Sequence, residues 1–210
     1  GLAAIGAGDI LAFNPINNSN DIDTASIVVT PLFNGCPGTP RHFDLVVMPQ
    51  ADLTQPLNQF LCNGQQTSLI SFNGPVLGTS YTWTNNNTSI GLATSGNGNI
   101  LPFTTQNSSN TAQTATITVT ATANNCPGNV KTFDIHVDPT PGMAQPVSIT
   151  ACNGARIDSI LFNGTVAGTN FTWINNNTSI GLAANGSGMI PSFTAMNNSN
   201  APIVANISVV

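Results

Sequence analysis

The thirteen residues from Tyr81 to Ala93, YTWTNNNTSIGLA, return as FTWINNNTSIGLA from Phe171 to Ala183, 90 positions later. A phrase recurring at fixed spacing restricts the fold more than any single motif, because each copy must be the same folding unit joined to its neighbours. The register holds without insertion: Cys36 maps to Cys126, Cys62 to Cys152, Phe13 to Phe103 and Phe193, Phe43 to Phe133, Phe72 to Phe162, and Trp83 to Trp173. Of the 70 positions from 51 to 120, 34 are identical to their counterparts from 141 to 210. The kept residues are mostly Gly, Asn, aromatic and β-branched, the types that shape turns and cores, so the copies share a scaffold. Gly1 and Leu2 match Gly91 and Leu92, so the chain is expected to open inside one repeat, hold one whole repeat and stop inside a third.

Within the repeat the apolar pattern has period two. From Thr114 to Thr122, Ala115, Ile117, Val119 and Ala121 fall on one face and threonines on the other, as in a half-buried strand. NNCPGN, residues 124 to 129, is a turn by composition, and Thr132 to Val137 then alternates again with Phe133, Ile135 and Val137 inward and Asp134 and His136 outward. The two runs predict an antiparallel hairpin. Its counterparts are Ala25 to Leu32 and Phe43 to Met48, with a further strand expected at Ile10 to Phe13. The complete repeat is expected to hold seven strands: Leu53 to Leu61, Ser68 to Phe72, one carrying Tyr81 and Trp83, Ile90 to Ala93, Ile100 to Thr105, and the hairpin pair; Ser95 to Asn99 is expected as a turn. Short strands, turn signals every 8 to 12 residues and a central Trp predict an all-β fold of tandem immunoglobulin-like (PKD-like) β-sandwiches. The expected core is Phe72, Trp83, Phe103, Ile117, Val119 and Phe133, continued by Phe162, Trp173 and Phe193. Proline-bearing junctions at Val47 to Gln50 and Val137 to Pro141 are expected to be short linkers. The domains are then 1 to 49, the C-terminal part of one repeat; 50 to 139, a complete repeat; and 140 to 210, the N-terminal part of a third.

Only 5% of residues are charged, eight acidic and three basic, against roughly 25% in ordinary soluble domains. With Arg41, Lys131 and Arg156 as the only cations, no basic patch exists to hold phosphate, which disfavours nucleic acid as a partner. Hydration must come from Asn, Thr and Ser, a surface suited to the outside of a cell. Two cysteines per repeat, Cys36, Cys62, Cys126 and Cys152, are disulfide candidates. Cys62 lies ten residues before Phe72, and Cys126 seven after Val119. These offsets carry the sulfurs toward opposite poles of a sandwich, so pairing within a repeat, pairing with the next repeat and free thiols all remain open.

Catalysis needs a nucleophile or a carboxylate pair held in a pocket. The acids are all Asp; Asp44 and Asp134 are expected on a solvated strand face, and His42 and His136 occupy non-equivalent repeat positions. No enzyme activity, no cofactor and no metal site are expected. Asn20 to Asp23 is the best calcium candidate, but its counterparts at 110 to 113 and 200 to 203 lack the acids, so a solvated loop is the favoured reading. The Asn triplets at 85 to 87 and 175 to 177 are expected to shape turns rather than hold sugar.

The CNG and FNG turns, the TWTNNNTSIGLA phrase, SGNGNI followed by FT, and NNCPG before KTFDIHVDP together resemble the PKD-like/immunoglobulin-like repeats of giant surface proteins in the Bacteroidetes, gliding-motility adhesins among them. The resemblance covers the whole chain. It implies type IX secretion, display on the outer surface and a filament whose partners are adjacent repeats, a surface polysaccharide or the substratum, and, through other parts of the protein, the outer-membrane gliding and secretion machinery. It also implies candidate O-glycosylation at Thr24 and Ser159, within Asp23-Thr24-Ala25 and Asp158-Ser159-Ile160, although neither triplet recurs in the other repeats. The expected function is a structural and adhesive segment of a cell-surface filament. The alternative is a carbohydrate-binding sandwich array of a secreted polysaccharide-degrading protein, which exposed aromatics would favour; a calcium-dependent adhesin comes third.

Overall fold

The computed structural model describes all 210 residues. In chain order the strands are β1 (Asp23–Val29), β2 (Leu32–Phe33), β3 (Cys36–Pro37), β4 (Arg41–Val47), β5 (Gln59–Cys62), β6 (Ser80–Asn85), β7 (Ser95–Asn97), β8 (Gln113–Ala123) and β9 (Cys126–Asp138). They continue as β10 (Arg156–Ile157), β11 (Thr172–Asn175), β12 (Asn185–Ser187), β13 (Phe193–Thr194) and β14 (Ile207–Val209). The only helical pieces are two 3-10 turns, Thr88–Ile90 and Thr178–Ile180. No helix is long and apolar enough to cross a membrane. Contacts divide the chain into two compact units, Gly1–Asn107 with Gln113–Val137, and Ser108–Ala112 with Asp138–Val210.

In the first unit a five-stranded sheet has the order β5-β9-β8-β6-β7. The β8–β9 hairpin is the longest ladder, and its two-residue turn holds Asn124 and Asn125 at φ 51° and 61°. Positive φ at both central positions is what a type I′ turn requires and what asparagine tolerates. The ladder shifts register between Thr120 and Thr122, opposite Gly128. A Cβ on Gly128 would lie 2.0 Å from the Ala51 carbonyl oxygen, so glycine here lets the entering chain pass against the sheet. Ser68 to Phe72 and Ile100 to Thr105, expected as strands, form no continuous ladder; they meet as a second layer only through the isolated bridges Gln66–Thr104 and Ile70–Ile100 and the Thr67 N to Phe103 O hydrogen bond. Between the layers lie Ile70, Phe72, Ile100, Trp83, Ile117, Val119, Phe133 and Ile135, all buried, with Phe103 half-buried against them. Two layers around one apolar core, with consecutive strands in antiparallel pairs, form an immunoglobulin-like sandwich.

Further local expectations are corrected. Ile90 to Ala93 is no strand: Asn87 caps the 3-10 turn by accepting from Ser89 N, and Gly91 closes it at φ 93°. Ser95 to Asn97, expected as a turn, is the edge strand β7, because Gly96 presents only hydrogen where the Trp83 ring lies. Leu53 to Leu61 splits at Pro56; Thr54 N bonds to Asn73 O beside the second layer, while β5 joins the first. Proline removes a ladder donor at the crossing, which lets one stretch of chain serve both layers.

The β1–β4 ladder pairs Ile27 with Phe43 and Asp23 with Val47, as β8 and β9 pair Ile117 with Phe133 and Gln113 with Val137. Ile10 to Phe13, expected as a strand, forms none. In the second unit β11 is flanked by β12 and β14, and pairs Trp173 with Gly186 and with Val209. Trp173 is buried there, with Phe162 and Phe193 half-buried around it.

Candidate functional site

The repeated asparagine phrase is the most elaborate polar constellation in the molecule. Asn85 is buried, and its side-chain amide donates to Leu92 O and Ala93 O at 3.1 and 3.2 Å while its Oδ1 accepts from Asn87 N at 2.9 Å. Asn86 Oδ1 accepts from Thr116 N, and Asn87 Nδ2 donates to Thr114 O, so both anchor the loop to β8. Asn175, Asn176 and Asn177 repeat these roles toward Leu182 O, Ala183 O, Asn206 N and Val204 O. Each asparagine is occupied in holding backbone. The amides that would otherwise meet a sugar satisfy the carbonyls and N–H groups of a buried loop.

Trp83 and Trp173 are buried, and the indole N–H of each has no acceptor. Neither ring is available as a stacking surface. Tyr81 is half-buried, 5.9 Å ring to ring from Phe72, and burial, with Asp52 nearby, pushes its phenol above the ordinary value. One exposed aromatic pair exists elsewhere. Phe60 on β5, 72% exposed, stacks on His136 of β9 at 5.0 Å with 5° between the ring planes, and His136 Nδ1 is 2.9 Å from Thr114 Oγ1. Sequence reasoning missed it because partners 76 positions apart become neighbours only through the β5–β9 pairing; the signal was an aromatic out of phase with the core. In the next repeat Phe60 becomes Thr150, and in the preceding one His136 is Val46.

The carboxylates serve the fold locally. Asp134 accepts from Thr116 Oγ1 at 2.8 Å directly across the ladder, and Ser26 Oγ donates to Asp44 in the same relation. Asp52 is held below the ordinary 3.8 chiefly by the Leu53 N–H, then by the Asn129 side chain and Lys131. The Asn20 to Asp23 loop is shaped by Asn17 and Ser19, whose side chains donate to the Asp21 carbonyl. Nowhere do three His, Cys, Asp or Glu side chains converge as a metal would need.

All four cysteines are free thiols, Cys36, Cys62 and Cys152 exposed and Cys126 half-buried. Gln55 Nε2 donates to Thr132 O, Asn58 Oδ1 accepts from Asp134 N, and Phe60 stacks on His136. The paired numbers rise together, so β5 and β9 run in the same direction. Cys62 O accepts from Thr105 Oγ1, and next to it Asn107 Nδ2 donates to Val137 O, which places Cys62 at the end of β9 where the chain leaves. Cys126 begins β9 at the other end, where Asn129 N bonds to Ala51 O and the chain enters. Eleven residues of strand put them roughly 35 Å apart, far beyond the ~7 Å a disulfide spans. Of the candidate O-glycosylation sites, Thr24 lies on exposed β1 and Ser159 in the exposed stretch after β10.

No protein-family model matches the chain, and no curated protein matches it either. Among solved structures, it is similar to the two immunoglobulin domains of DIP-gamma, with a TM-score of 0.45 and 10% identity over 77% of this chain and 95% of that one. It is similar to titin domains I67–I69, with a TM-score of 0.36 and 9% identity over 76% of this chain and 62% of that one. A third likeness is to the FN1–FN3 domains of chicken CNTN1, with a TM-score of 0.29 and 11% identity over 86% of this chain and 69% of that one.

Proposed function

We propose that this chain is a structural and adhesive segment of a long extracellular filament, with repeats divided near residues 49 and 140. The observation that carries the reading is the course of the chain through residues 50 to 139. It enters beside Ala51 at one pole, leaves after Val137 at the other, and its first and last sheet strands lie side by side in the same direction. Tension between the two linkers is then directed along β9 and loads the β5–β9 hydrogen bonds together rather than one by one. The finer reading, an attachment or gliding-motility adhesin like SprB, exported by the type IX system and displayed on the outer surface, is supported by the repeated phrases and by a surface hydrated by Asn and Thr with 5% charge. Cysteines at opposite poles suit links to neighbouring repeats.

The alternative, a carbohydrate-binding array, is favoured by one observation, the exposed Phe60–His136 stack. Affinity electrophoresis of the whole chain in neutral and acidic polysaccharide gels separates the two. The filament reading predicts unchanged mobility and no difference between wild type and Phe60→Ala. Retardation that Phe60→Ala abolishes transfers the assignment to the carbohydrate-binding reading.

A further inference from the structure

The complete repeat holds three Asn-Gly steps, Asn63-Gly64, Asn73-Gly74 and Asn97-Gly98. An asparagine before glycine is chemically labile, because no side chain on the following residue keeps its amide nitrogen from reaching the asparagine Cγ. That attack needs the glycine nitrogen free to lose its proton and turn toward the side chain. In two of the steps the fold withholds it: Gly64 N donates to Thr105 O and Gly98 N donates to Tyr81 O, both at 2.9 Å. Asn63 is held as well, its Oδ1 accepting from Asn107 N at 2.8 Å. Asn73-Gly74 differs on each count. Both residues are exposed, the Asn73 side chain makes no hydrogen bond, and Gly74 N has no acceptor in the protein.

We propose that Asn73 is the site at which the folded repeat deamidates, and that the product loosens the point where the chain enters. Gly74 N bonds to Asn73 Cγ while the Cγ–Nδ2 bond breaks, and the side-chain nitrogen leaves as ammonia with the proton that Gly74 N gave up. The resulting cyclic imide takes up water at either carbonyl. Opening at Cγ gives aspartate; opening at the α-carbonyl gives isoaspartate, in which the chain runs on through Cγ and is one backbone atom longer. No oxidant, cofactor or enzyme is required. The α-carbonyl oxygen is the one that accepts from Thr54 N at 2.8 Å, and in isoaspartate it becomes part of a free carboxylate. Gly74 is fitted so closely to Asp52 O that a Cβ has no room there, so an added backbone atom cannot be absorbed in place. The new charge also falls on a neighbour of Asp52, whose partner Lys131, 4.0 Å away, is the only Lys or Arg between residues 50 and 139. Like charge and a lost anchor both act to release residues 52 to 54 from the second layer.

The test is incubation of the folded 210-residue chain in mildly alkaline buffer over days, with a parallel sample in urea, followed by pepsin digestion in acid and mass spectrometry of the peptides. In the folded sample Asn73 is expected to exchange NH2 for OH at least about tenfold faster than Asn63 or Asn97, since each of these must first open a hydrogen-bonded turn. In urea the three rates are expected to converge. Asn73→Gln, at an exposed side chain without partners, is expected to remove that product, because glutamine would have to close a larger ring. Hydrogen exchange at Thr54 is expected to rise in aged wild type and not in aged Asn73→Gln. An Asn73 that stays intact while the urea sample reacts, or folded-state rates at Asn63 or Asn97 equal to its own, overturns the proposal. So does unchanged exchange at Thr54 once Asn73 is converted. None of these results bears on the filament reading, which concerns load along a single repeat.

Discussion

Gly96→Ala destabilises the complete repeat by about 3 kcal/mol, at the upper end of the ordinary range for overpacking a core. A Cβ built on Gly96 lies 2.3 Å from Trp83 Cζ2 and 2.6 Å from Cε2, well inside contact distance. The ring cannot retreat, because Trp83 is buried between the sheets on a strand whose other neighbour is β8. The relief open to the fold is for β7 to peel away, forfeiting its three pairs with β6. Gly98 is the control: it sits at φ +67° with open space around its Cβ, so Gly98→Ala carries only the left-handed backbone penalty of about 1 kcal/mol. Urea unfolding of both variants checks the order, with equal slopes expected because the surface exposed on unfolding does not change. Equal midpoints for the two variants would show that the tryptophan contact does not limit the sheet. The same contact recurs at Gly186, 2.3 Å from Trp173 Cζ2, so Gly186→Ala is expected to act on the second unit in the same way.

Asn85→Ala is expected to lower stability by about 3 kcal/mol, because three backbone groups lose their partner and an unsatisfied buried group costs about 1 to 3 kcal/mol. The carbonyls of Leu92 and Ala93 lose their donor and Asn87 N loses its acceptor. Asn86→Ala removes one exposed-side bond to Thr116 N and is expected to cost about 1 kcal/mol. Thermal melts of the three proteins, with hydrogen exchange at Ser89 and Gly91, give the comparison. The loop amides in Asn85→Ala should exchange fastest. If Asn86→Ala proves the more damaging, the loop is held chiefly from β8 rather than by the buried amide.

The sequence carried the β8–β9 hairpin and its inner face. Ala115, Ile117, Val119, Phe133 and Ile135 declare themselves by alternation, because a half-exposed ladder forces period two on its residues. The edge of the sheet was harder. Ser95-Gly96-Asn97 is turn-like in composition, and its place as a strand depends on a glycine meeting the indole ring of Trp83 upstream. The split at Pro56 was hidden for a similar reason: Leu53 to Leu61 is continuous in hydropathy, and only tertiary pairing assigns its halves to different layers. The asparagine triplet was recognisable as structural, but the division of labour within it, one buried side chain and two tethers to β8, depends on partners about 7 and 30 residues away. The Phe60–His136 stack and the polar separation of Cys62 from Cys126 rest on the β5–β9 pairing, which no local pattern announces.

Pulling the chain end to end under constant-velocity force spectroscopy tests most directly the claim that the repeat bears load as one unit. A repeat of 90 residues with its linkers at opposite poles and its outer strands loaded in shear should give one cooperative event. The expected gain in length is roughly 27 nm, the stretched length of such a segment less its folded span. A featureless extension, or a series of smaller steps at low force as strands peel singly, would contradict the account.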